Sequence, residues 1–447
     1  MEAVARFLKE HGITEVESTM PDMTGNARGK FYPTNKFLAE KGGRIPEQLL
    51  VQTVNGEWAE NHDDIVDPTD KDMVLVPDPD SLRLVPWADE PTAQVINDCF
   101  TFDGQPHPLS SRNVLRRVLK LYEDKGLRPV IAPEVEFYLI EKNLDPDYEI
   151  RPATGRSGRQ ETARQSYSID AVNEFNPIID TLYNYCDAQG LDVDTLIHES
   201  GAAQMEINFL HGDALKLADQ VFVFKRTLRE TALKHNIYAT FMAKPMEAEP
   251  GSSMHIHQSL IDVKTGKNVF ANEDGSYSDM FYHYMGGLQT FTPNAISFYA
   301  PNVNSYRRFA PDIAAPVNMK WGVDNRTTGL RAPEAVPAAT RIENRFPGAD
   351  CNPYLAIAAS LACGYLGLIN KIDPTKPTEG PAVKDGDSVE LARSLEEGLR
   401  LLEECPELRE IMGSRFIDAY IGVKRAEFET FHQVISSWER EFLLLNV

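Results

Sequence analysis

The stretch Lys244-Pro245-Met246, followed by Gly251-Ser252-Ser253-Met254-His255-Ile256-His257-Gln258-Ser259, decides how the rest of the chain is interpreted. His255 and His257 are two residues apart, so in a strand both side chains face the same side. The glycine and serines before them allow a ligand to approach the backbone closely. One interpretation makes one histidine a metal ligand and the other a nucleotide contact. The alternative, two hydrogen-bonded core histidines, stays open for this segment alone.

Two acidic motifs lie upstream of this stretch. Glu134 and Glu136 alternate with apolar residues, so both carboxylates share one strand face, where buried like charges repel unless cations lie between them. Ordinary surface glutamates on a half-exposed strand are the alternative. Glu199 and Glu206 flank Gly201-Ala-Ala-Gln204, a stretch of small residues that suits a tight turn. This second signal is weak by itself.

Arginines dominate the region downstream, around a fifth acidic residue, Glu343. The six arginines are Arg307, Arg308, Arg326, Arg331, Arg341 and Arg345. Their spacing is too irregular for one helix face, and the interleaved glycines and prolines indicate anion binding more than surface decoration. Carboxylates with an imidazole favour Mg²⁺ or Mn²⁺ over zinc. Cations and arginines together are what polyphosphate chemistry needs, which predicts an ATP-using ligase.

Composition limits the possible partners. The chain has 447 residues, enough for two domains, and a formal net charge of -22. That charge argues against nucleic acid and suits a cationic small molecule, although ordinary acidic proteins share it. We find no window approaching the roughly 18 apolar residues of a membrane span, and no signal-peptide pattern at the start. The five cysteines form no CxxC pair, which favours reduced thiols in the cytoplasm and disfavours zinc.

The pattern of turns and apolar periodicity predicts an α+β chain with a boundary at the linker 103–108, giving domains 1–105 and 106–447. The predicted strands are a pair within 16–31, then 73–77, 93–96, 130–140, 205–208, 238–242 and 255–261. The predicted helices are 1 to about 16, 110–125, 173–189, 214–235, 353–370, 388–404 and 407–446. The helix at 353–370 is apolar throughout and is expected in the core.

The ordered motifs resemble those of the glutamine synthetase family, type I, over nearly the whole chain. They are Glu-x-Glu, His-Glu-x₄-Gln-x-Glu, Lys-Pro-Met with Met-His-x-His-Gln-Ser, Asn-Arg-x₄-Arg-x-Pro and Arg-Ile-Glu-x-Arg-Phe-Pro. The resemblance implies a small N-terminal β-grasp domain and a catalytic domain with a curved antiparallel sheet. It also implies a ring of six or twelve subunits, in which the first domain contributes to a neighbour's site.

The resemblance further implies roles for individual residues. One metal ion would be held by Glu136, Glu199 and Glu206, and the second by Glu134, His255 and Glu343. ATP would contact His257, Ser259, Arg331 and Arg341. Glutamate would contact Gly251, Arg308 and Arg345, and Arg326 would meet the phosphoryl group during transfer. The expected chemistry is attack of the glutamate γ-carboxylate on ATP, followed by attack of an amine on the acyl phosphate.

The sequence departs from ammonia-using members of the family at the amine side. Asn55 stands where they carry an Asp and Trp58 where they carry a Ser, while Ala314 replaces a flap Glu. Tyr167 and Glu199 of the ammonium site remain. Loss of carboxylate partners removes about 3–5 kcal/mol of support for a small cation. A smaller side chain leaves room for a larger amine, at about 0.8 kcal/mol per buried methylene.

These departures resemble the γ-glutamylpolyamine and γ-glutamylamine synthetases. We therefore expect a ligase that joins glutamate to a polyamine such as putrescine or spermidine, or to a monoamine that packs on Trp58. Which residue accepts the amine proton is open, with Glu199 as one candidate. A glutamine synthetase with a rearranged ammonium site and a non-catalytic ring protein are the alternatives. No tyrosine lies between Asp373 and Asp385, so adenylylation is not expected.

Overall fold

The computed structural model describes residues 1–59, 62–162, 164–309, 317–382 and 391–447. Its N-terminal part contains a six-stranded sheet. Its strands are β1 (Glu15–Pro21), β2 (Ala27–Pro33), β3 (Arg44–Pro46), β4 (Asp72–Pro77), β5 (Arg83–Leu84) and β6 (Thr92–Phe100). They run in the order β2-β1-β6-β4-β3, with β5 also on β6. The β1–β6 pairing is parallel and the others are antiparallel.

The hairpin between β1 and β2 follows from its turn residues. The Asp22 carboxylate accepts hydrogen bonds from the backbone N–H groups of Thr24 and Asn26, and Gly25 takes a φ of +88°. The predicted strand pair around this turn is confirmed. Helices α1 (Glu2–Glu10) and α2 (Thr34–Glu40) cover one face of the sheet with a small separate core, and α3 (His62–Ile65) follows.

The rest of the described chain is organised around a nine-stranded sheet. Its strands are β7 (Leu127–Ile140), β8 (Val193–His198), β9 (Gln204–Phe209), β10 (Gly212–Asp213), β11 (Tyr238–Thr240), β12 (Met254–Asp262), β13 (Trp321–Val323), β14 (Leu330–Ala332) and β15 (Ile342–Asn344). The order is β13-β14-β15-β12-β7-β9-β8, with β10 and β11 also on β7. Every described pairing in this sheet is antiparallel except β13–β14. The long strand β7 therefore lies at the centre.

Ten helices of the described residues accompany this sheet. They are α4 (Ser111–Glu123), α5 (Ile169–Asn173), α6 (Asn176–Gln189), α7 (Ala214–Lys234), α8 (Asp279–Tyr299), α9 (Pro353–Asn370), α10 (Leu395–Glu403), α11 (Pro406–Met412), α12 (Ser414–His432) and α13 (Ser437–Phe442). The predicted domain boundary after residue 105 falls between β6 and α4. The main hydrophobic core includes residues from both sides of it, such as Cys99 and Val114, so the division into 1–105 and 106–447 stays a prediction.

Helix α9 has the predicted bounds and is buried over most of its length, as expected for a core helix. By length and composition alone it is also apolar enough to cross a membrane, with a mean hydropathy of 1.4, which corrects the expectation that no window approaches a span. The same window is 78% buried inside the protein, as the core helix of a globular domain would be.

Several helix predictions were wrong in instructive ways. The helix predicted at 173–189 is found as α6, which starts three residues later at Asn176 with Pro177 in its first turn, because Asn173 ends the short helix α5. The helix predicted at 407–446 is three helices, divided at Gly413, whose φ is +99°, and again over residues 433–436. Helix α8 was not anticipated because it contains Gly286, Gly287 and Pro293, which are helix-breaking signals. A Cβ on Gly287 would lie 2.6 Å from the Gly367 backbone, so these glycines allow close packing of α8 on α9.

Candidate active site

The centre of the candidate site is the face of β7 that carries Glu134 and Glu136. Between and beyond them, Val135 and Phe137 are buried on the opposite face, which explains why the acids point to the same side. Antiparallel pairing places Glu136 opposite Glu206 of β9, and Glu134 opposite His255 of β12. The Glu-x-Glu and His-x-His motifs, far apart in sequence, thus meet on adjacent strands, and the residues of each motif share one face as the alternation predicted.

One acidic group consists of Glu136, Glu199 and Glu206, which each offer a carboxylate oxygen within 4.8 Å of the others. Burial, followed by repulsion from Glu199, raises the pKa of Glu136 to about 8. Burial and the surrounding carboxylates also raise the pKa of Glu199 and of Glu206. Three carboxylates that repel one another in a buried space are a donor set that fits a hard divalent cation.

A second group adjoins the first through Glu134. The His255 Nδ1 atom lies 3.3 Å from a Glu134 oxygen and 3.5 Å from a Glu343 oxygen, which brings together the three residues expected at the second metal. Burial lowers the pKa of His255, which favours the neutral imidazole that binds metals. Its Nε2 atom is buried and has no hydrogen-bond partner among the described residues. These features fit a mixed imidazole and carboxylate cation site.

His257 belongs to the same cluster. Its Nε2 atom is 2.9 Å from the other Glu134 oxygen, and it also groups with Glu343 within 4.8 Å. Burial acts to raise the pKa of Glu134, but hydrogen bonds with His255 and His257 outweigh it and hold that pKa well below its usual range. Since the resemblance implied only a nucleotide contact for His257, its direct contact with Glu134 was not anticipated. Ser259 follows on the same face of β12 and is half-buried.

Arginines neutralise the far side of this cluster. The Glu343 carboxylate accepts hydrogen bonds from Arg331 at 2.6 Å and from Arg345 at 2.7 Å. Burial acts to raise the pKa of Glu343, but Arg345, His257 and His255 outweigh it and lower the pKa to about 2. Arg341 donates from Nε to the Nδ1 atom of His257 at 3.2 Å. The arginines expected at ATP therefore lie beside the residues expected to hold the cations.

Arg308 lies on a different side of the cluster and is almost completely buried. It donates to the Ser253 hydroxyl at 3.1 Å and to the Phe346 carbonyl oxygen. A Cβ added to Gly251 would lie 2.5 Å from the Arg308 side chain, so glycine is required for this close approach. The structure thus brings Gly251 and Arg308 together, as expected for a shared glutamate contact.

Arg326 and Tyr167 are both exposed. Burial and Glu199 raise the pKa of Tyr167, while the charge of Arg326 acts in the opposite direction. Arg326 likewise acts to lower the pKa of Glu199, against the larger effect of burial. These three residues are therefore close enough to influence one another electrostatically, in agreement with their expected proximity.

Two of the three residues expected in the amine pocket, Asn55 and Trp58, are among the described residues. Asn55 and Trp58 lie in an exposed loop after residue 51, where Asn55 accepts a hydrogen bond from Thr53. The neighbouring Val54 N–H donates to Glu427 of α12 rather than to the acidic cluster. Ala314 lies outside the described residues.

Four side chains that support the site were missed by sequence reasoning. Gln204 lies inside a quoted motif but was given no role, and its amide contacts Glu136 at 3.3 Å and the Gly251 carbonyl at 3.0 Å. Asp350 accepts from Asn302 and Ser305 beside Arg308. Glu161 and Glu249 accept backbone N–H groups of the turn after Glu199. These last contacts join distant segments, and no local signal in the sequence marks them.

A two-part cluster of carboxylates and imidazoles on an antiparallel sheet, flanked by arginines, defines the class of protein. Residues 108–443 match the family model "Glutamine synthetase, catalytic domain", and the chain belongs to the glutamine synthetase family.

The similarity to individual proteins extends further. The chain is 35% identical to the glutamate–isopropylamine ligase of Pseudomonas sp, covering 98% of this chain and 96% of that protein. It is 34% identical to the gamma-glutamylputrescine synthetase PuuA of Escherichia coli (strain K12), covering 99% and 94%. A glutamine synthetase of Halobacterium salinarum is also 34% identical but covers 83% of each chain. Among solved structures, "Apo GmaS without ligand" matches with a TM-score of 0.86 and 28% identity over 100% of both chains.

Proposed function

We propose that the protein is an ATP-dependent ligase that joins the γ-carboxylate of glutamate to the nitrogen of an organic amine. One observation carries the choice of acceptor. The two relatives named for amine ligation or γ-glutamylputrescine synthesis align over 98% and 99% of the chain, whereas the glutamine synthetase above aligns over 83%. The departures at Asn55, Trp58 and Ala314 point in the same direction. The substrates are accordingly glutamate, ATP and a polyamine such as putrescine or spermidine, or a monoamine.

The reaction has two steps with balanced bond changes. A γ-carboxylate oxygen of glutamate attacks the terminal phosphorus of ATP, ADP leaves, and γ-glutamyl phosphate forms. Amines of this kind arrive protonated, since they titrate near the ~10.4 of lysine, so the nitrogen must lose one proton before it can attack. We propose Glu199, beside Tyr167, as the group that receives this first proton. The neutral nitrogen then attacks the acyl carbon, phosphate leaves, and the second proton, lost from the nitrogen as the amide forms, goes to the departing phosphate.

The site residues are proposed to divide the work as follows. Two Mg²⁺ or Mn²⁺ ions, held by Glu136, Glu199 and Glu206 and by Glu134, His255 and Glu343, would neutralise phosphate charge. His257, Ser259, Arg331 and Arg341 bind ATP. Gly251, Arg308 and Arg345 bind glutamate. Arg326 stabilises the transferring phosphoryl group, and its exposed side chain is accessible for this role.

Assembly into a ring is proposed as well. The C-terminal residues expose large apolar side chains, with Trp438 at 60%, Leu445 at 90% and Val447 at 96% exposure. Apolar groups on this scale are normally covered by another surface. The loop with Asn55 and Trp58 is equally free to reach another copy. These features support a hexamer or dodecamer in which the N-terminal sheet, proposed to be a β-grasp domain, contributes to a neighbour's site.

A cytoplasmic location is proposed from the thiols. All five cysteines are free and buried. Unpaired cysteines are typical of a reducing compartment.

An acceptor panel tests the function. Phosphate release is measured with glutamate, ATP and Mg²⁺ against ammonium, isopropylamine, putrescine and spermidine, and the product amide is identified by mass. We expect kcat/KM for the best organic amine to exceed that for ammonium by at least about tenfold, the value of two buried methylenes. The highest kcat/KM with ammonium would instead establish a glutamine synthetase. Glutamine synthetase is the second candidate function because Tyr167 and Glu199, two residues of the expected ammonium site, are retained.

A third outcome concerns catalysis itself. A non-catalytic ring protein would neither release phosphate with any acceptor nor bind ATP in a calorimeter with Mn²⁺ present. The presence of all six expected metal ligands argues against this outcome.

A further inference from the structure

The turn that follows Glu199 is fixed by side chains in an unusual way. Four consecutive backbone N–H groups, those of residues 200–203, each donate to a side-chain oxygen. The acceptors are Glu199 at 3.2 Å, Gln204 at 2.9 Å, Glu249 at 2.9 Å and Glu161 at 2.6 Å. The first two acceptors are local. The other two are carboxylates brought from separate segments, so the position of the turn depends on them.

Glu161 makes a second contact that Glu249 does not. The same Oε2 atom lies 2.9 Å from the Nε2 atom of His198, whose Nδ1 atom is 2.7 Å from the Glu199 carbonyl oxygen. His198 is fully buried and the Glu161 side chain is 13% exposed. A hydrogen bond in so little water is strong, and removing one partner leaves a buried polar group unsatisfied. Glu161 therefore holds both the residue before Glu199 and the turn after it.

The same pair of residues anchors two strained backbone positions. Tyr167 and Ala203 have φ values of +61° and +55°, a region that side-chain-bearing residues rarely adopt. The Tyr167 N–H donates to the His198 carbonyl oxygen at 2.9 Å, and the Ala203 N–H donates to Glu161. Such conformations persist only where surrounding contacts determine them. Here the His198 carbonyl supplies one such contact to Tyr167, and the Glu161 carboxylate supplies one to Ala203.

A further contact joins the two segments on their exposed side. The hydroxyl groups of Ser166 and Ser200 lie 2.9 Å apart. Residues 164–168, which carry Tyr167, are thus connected to the turn after Glu199 through both backbone and side chains. If Tyr167 and Glu199 face the amine, their separation is set by these contacts.

We propose that Glu161 is a positioning residue that, through His198, holds Tyr167 in register with Glu199 for binding of the acceptor amine. The proposal rests on the proposed function of the site and adds a residue to it. Glu161 touches neither ATP nor glutamate in this assignment. Because Glu199 also belongs to one of the proposed metal groups, removal of Glu161 is expected to lower kcat for every acceptor, but to raise KM selectively for the amine.

Steady-state kinetics of Glu161→Ala and Glu161→Gln provide the first test, with KM measured separately for amine, ATP and glutamate. We expect E161A to raise the amine KM about tenfold or more while the ATP KM changes less than about twofold. E161Q keeps an acceptor oxygen for the Ala203 N–H and should recover most of the loss. Glu249→Ala is the matched control, because it removes the acceptor of the adjacent N–H without touching His198. It should not raise the amine KM selectively.

Glycine substitutions provide a second test that is independent of charge. If Glu161 maintains the left-handed backbone at Ala203, then Ala203→Gly should partly restore the amine KM of E161A, since glycine adopts that conformation freely. Ala202→Gly is the control, because residue 202 is not in the left-handed region. Equal effects of the two glycine variants would overturn the proposal, as would an unchanged amine KM in E161A.

Failure of the proposed function and failure of the proposed role of Glu161 would give different results. Wild-type protein that forms no γ-glutamyl amide with any amine sinks the proposed function. Wild-type protein that forms the amide, with E161A equally impaired for all three substrates, sinks only the role of Glu161. Should E161A not fold, Ser166→Ala carries the test: it must raise the amine KM more than the ATP KM, whereas E161Q, which keeps the contact with Ala203, must stay near the wild-type amine KM.

Discussion

The metal side and the amine side of the site are built in different ways. Glu134, Glu136 and His255 lie on central strands of one sheet, where pairing and burial fix them before any ligand arrives. Asn55 and Trp58 lie on an exposed loop that contacts α12 of the same chain rather than the acidic cluster. The first half is a property of one folded chain. In the proposed ring, the second half depends on how copies of the chain come together.

This difference separates the activation of glutamate by ATP, which does not depend on the acceptor, from the selection of the amine. Activation of a carboxylate by ATP needs the same buried charges whatever the acceptor, and a rigid sheet supplies them. Selection of an amine needs a surface that can change without disturbing that sheet, and exposed loops are suited to this. Substitutions at buried strand positions and at exposed positions should therefore have different effects.

The largest effect is expected at the centre of the sheet. Glu136→Ala removes a carboxylate from the group with Glu199 and Glu206, and kcat/KM should fall about 1000-fold, since cations at such sites supply several kcal/mol. The measurement is phosphate release with saturating Mg²⁺. Glu123→Gln, an exposed glutamate on α4, is the control and should behave as wild type. Undiminished turnover in E136A would show that this carboxylate group is not the catalytic centre.

The second effect concerns stability rather than turnover. Arg345→Ala removes one of two arginines from the buried Glu343 carboxylate, which is 1% exposed. Leaving a buried charge poorly paired costs about 3 kcal/mol, roughly a 150-fold change in the unfolding equilibrium. Denaturant unfolding without added metal measures it. Arg400→Ala breaks an exposed pair with Glu404 and should have little effect. Similar losses in both variants would contradict the distinction between buried and exposed charges.

How much the sequence could predict follows the same division. Alternation in a strand was enough to place Glu134 with Glu136, and His255 with His257, because the period of two is a local property. The role of Glu161 could not be found, since its partner His198 is 37 positions away and their contact depends on the complete fold. Helix α8 was missed because its glycines serve packing against α9, which only the tertiary structure reveals. The proposed place of Trp58 in a neighbour's site would depend on assembly, which neither the sequence pattern nor the fold of one chain predicts.

The third effect is a pH dependence confined to the carboxylate group. A carboxyl whose folded pKa is raised stabilises the metal-free protein fully below its unfolded pKa, near 4.3, and that stabilisation is lost as pH rises through the folded value, about 8 for Glu136. The metal-free melting temperature should therefore fall between pH 6 and pH 8. Cation binding needs the deprotonated groups, so the half-saturating Mg²⁺ concentration should fall about tenfold per pH unit for each proton released.

Thermal unfolding at several Mg²⁺ concentrations and pH values measures both trends. Glu136→Gln cannot ionise and should weaken the pH dependence of Mg²⁺ binding. A pH dependence identical in E136Q and wild type would place the released protons elsewhere and would remove the basis for treating this group as a cation site.

The smallest effect is expected on the exposed loop. Trp58→Ala should raise the amine KM about fivefold through loss of apolar contact, without altering the Mg²⁺-induced rise in melting temperature. Val54→Ala, in the same loop and 58% exposed, is the matched control and should change neither quantity. Dilution of the protein adds a test in which Trp58 and the strand residues are expected to behave differently. If Trp58 serves the site of another copy, dissociating the assembly should raise the wild-type amine KM toward that of W58A, while Mg²⁺ binding at the sheet persists. An amine KM that stays constant as the assembly dissociates would mean that each chain builds its own amine side, and the contrast between the two halves would then have to be explained within a single subunit.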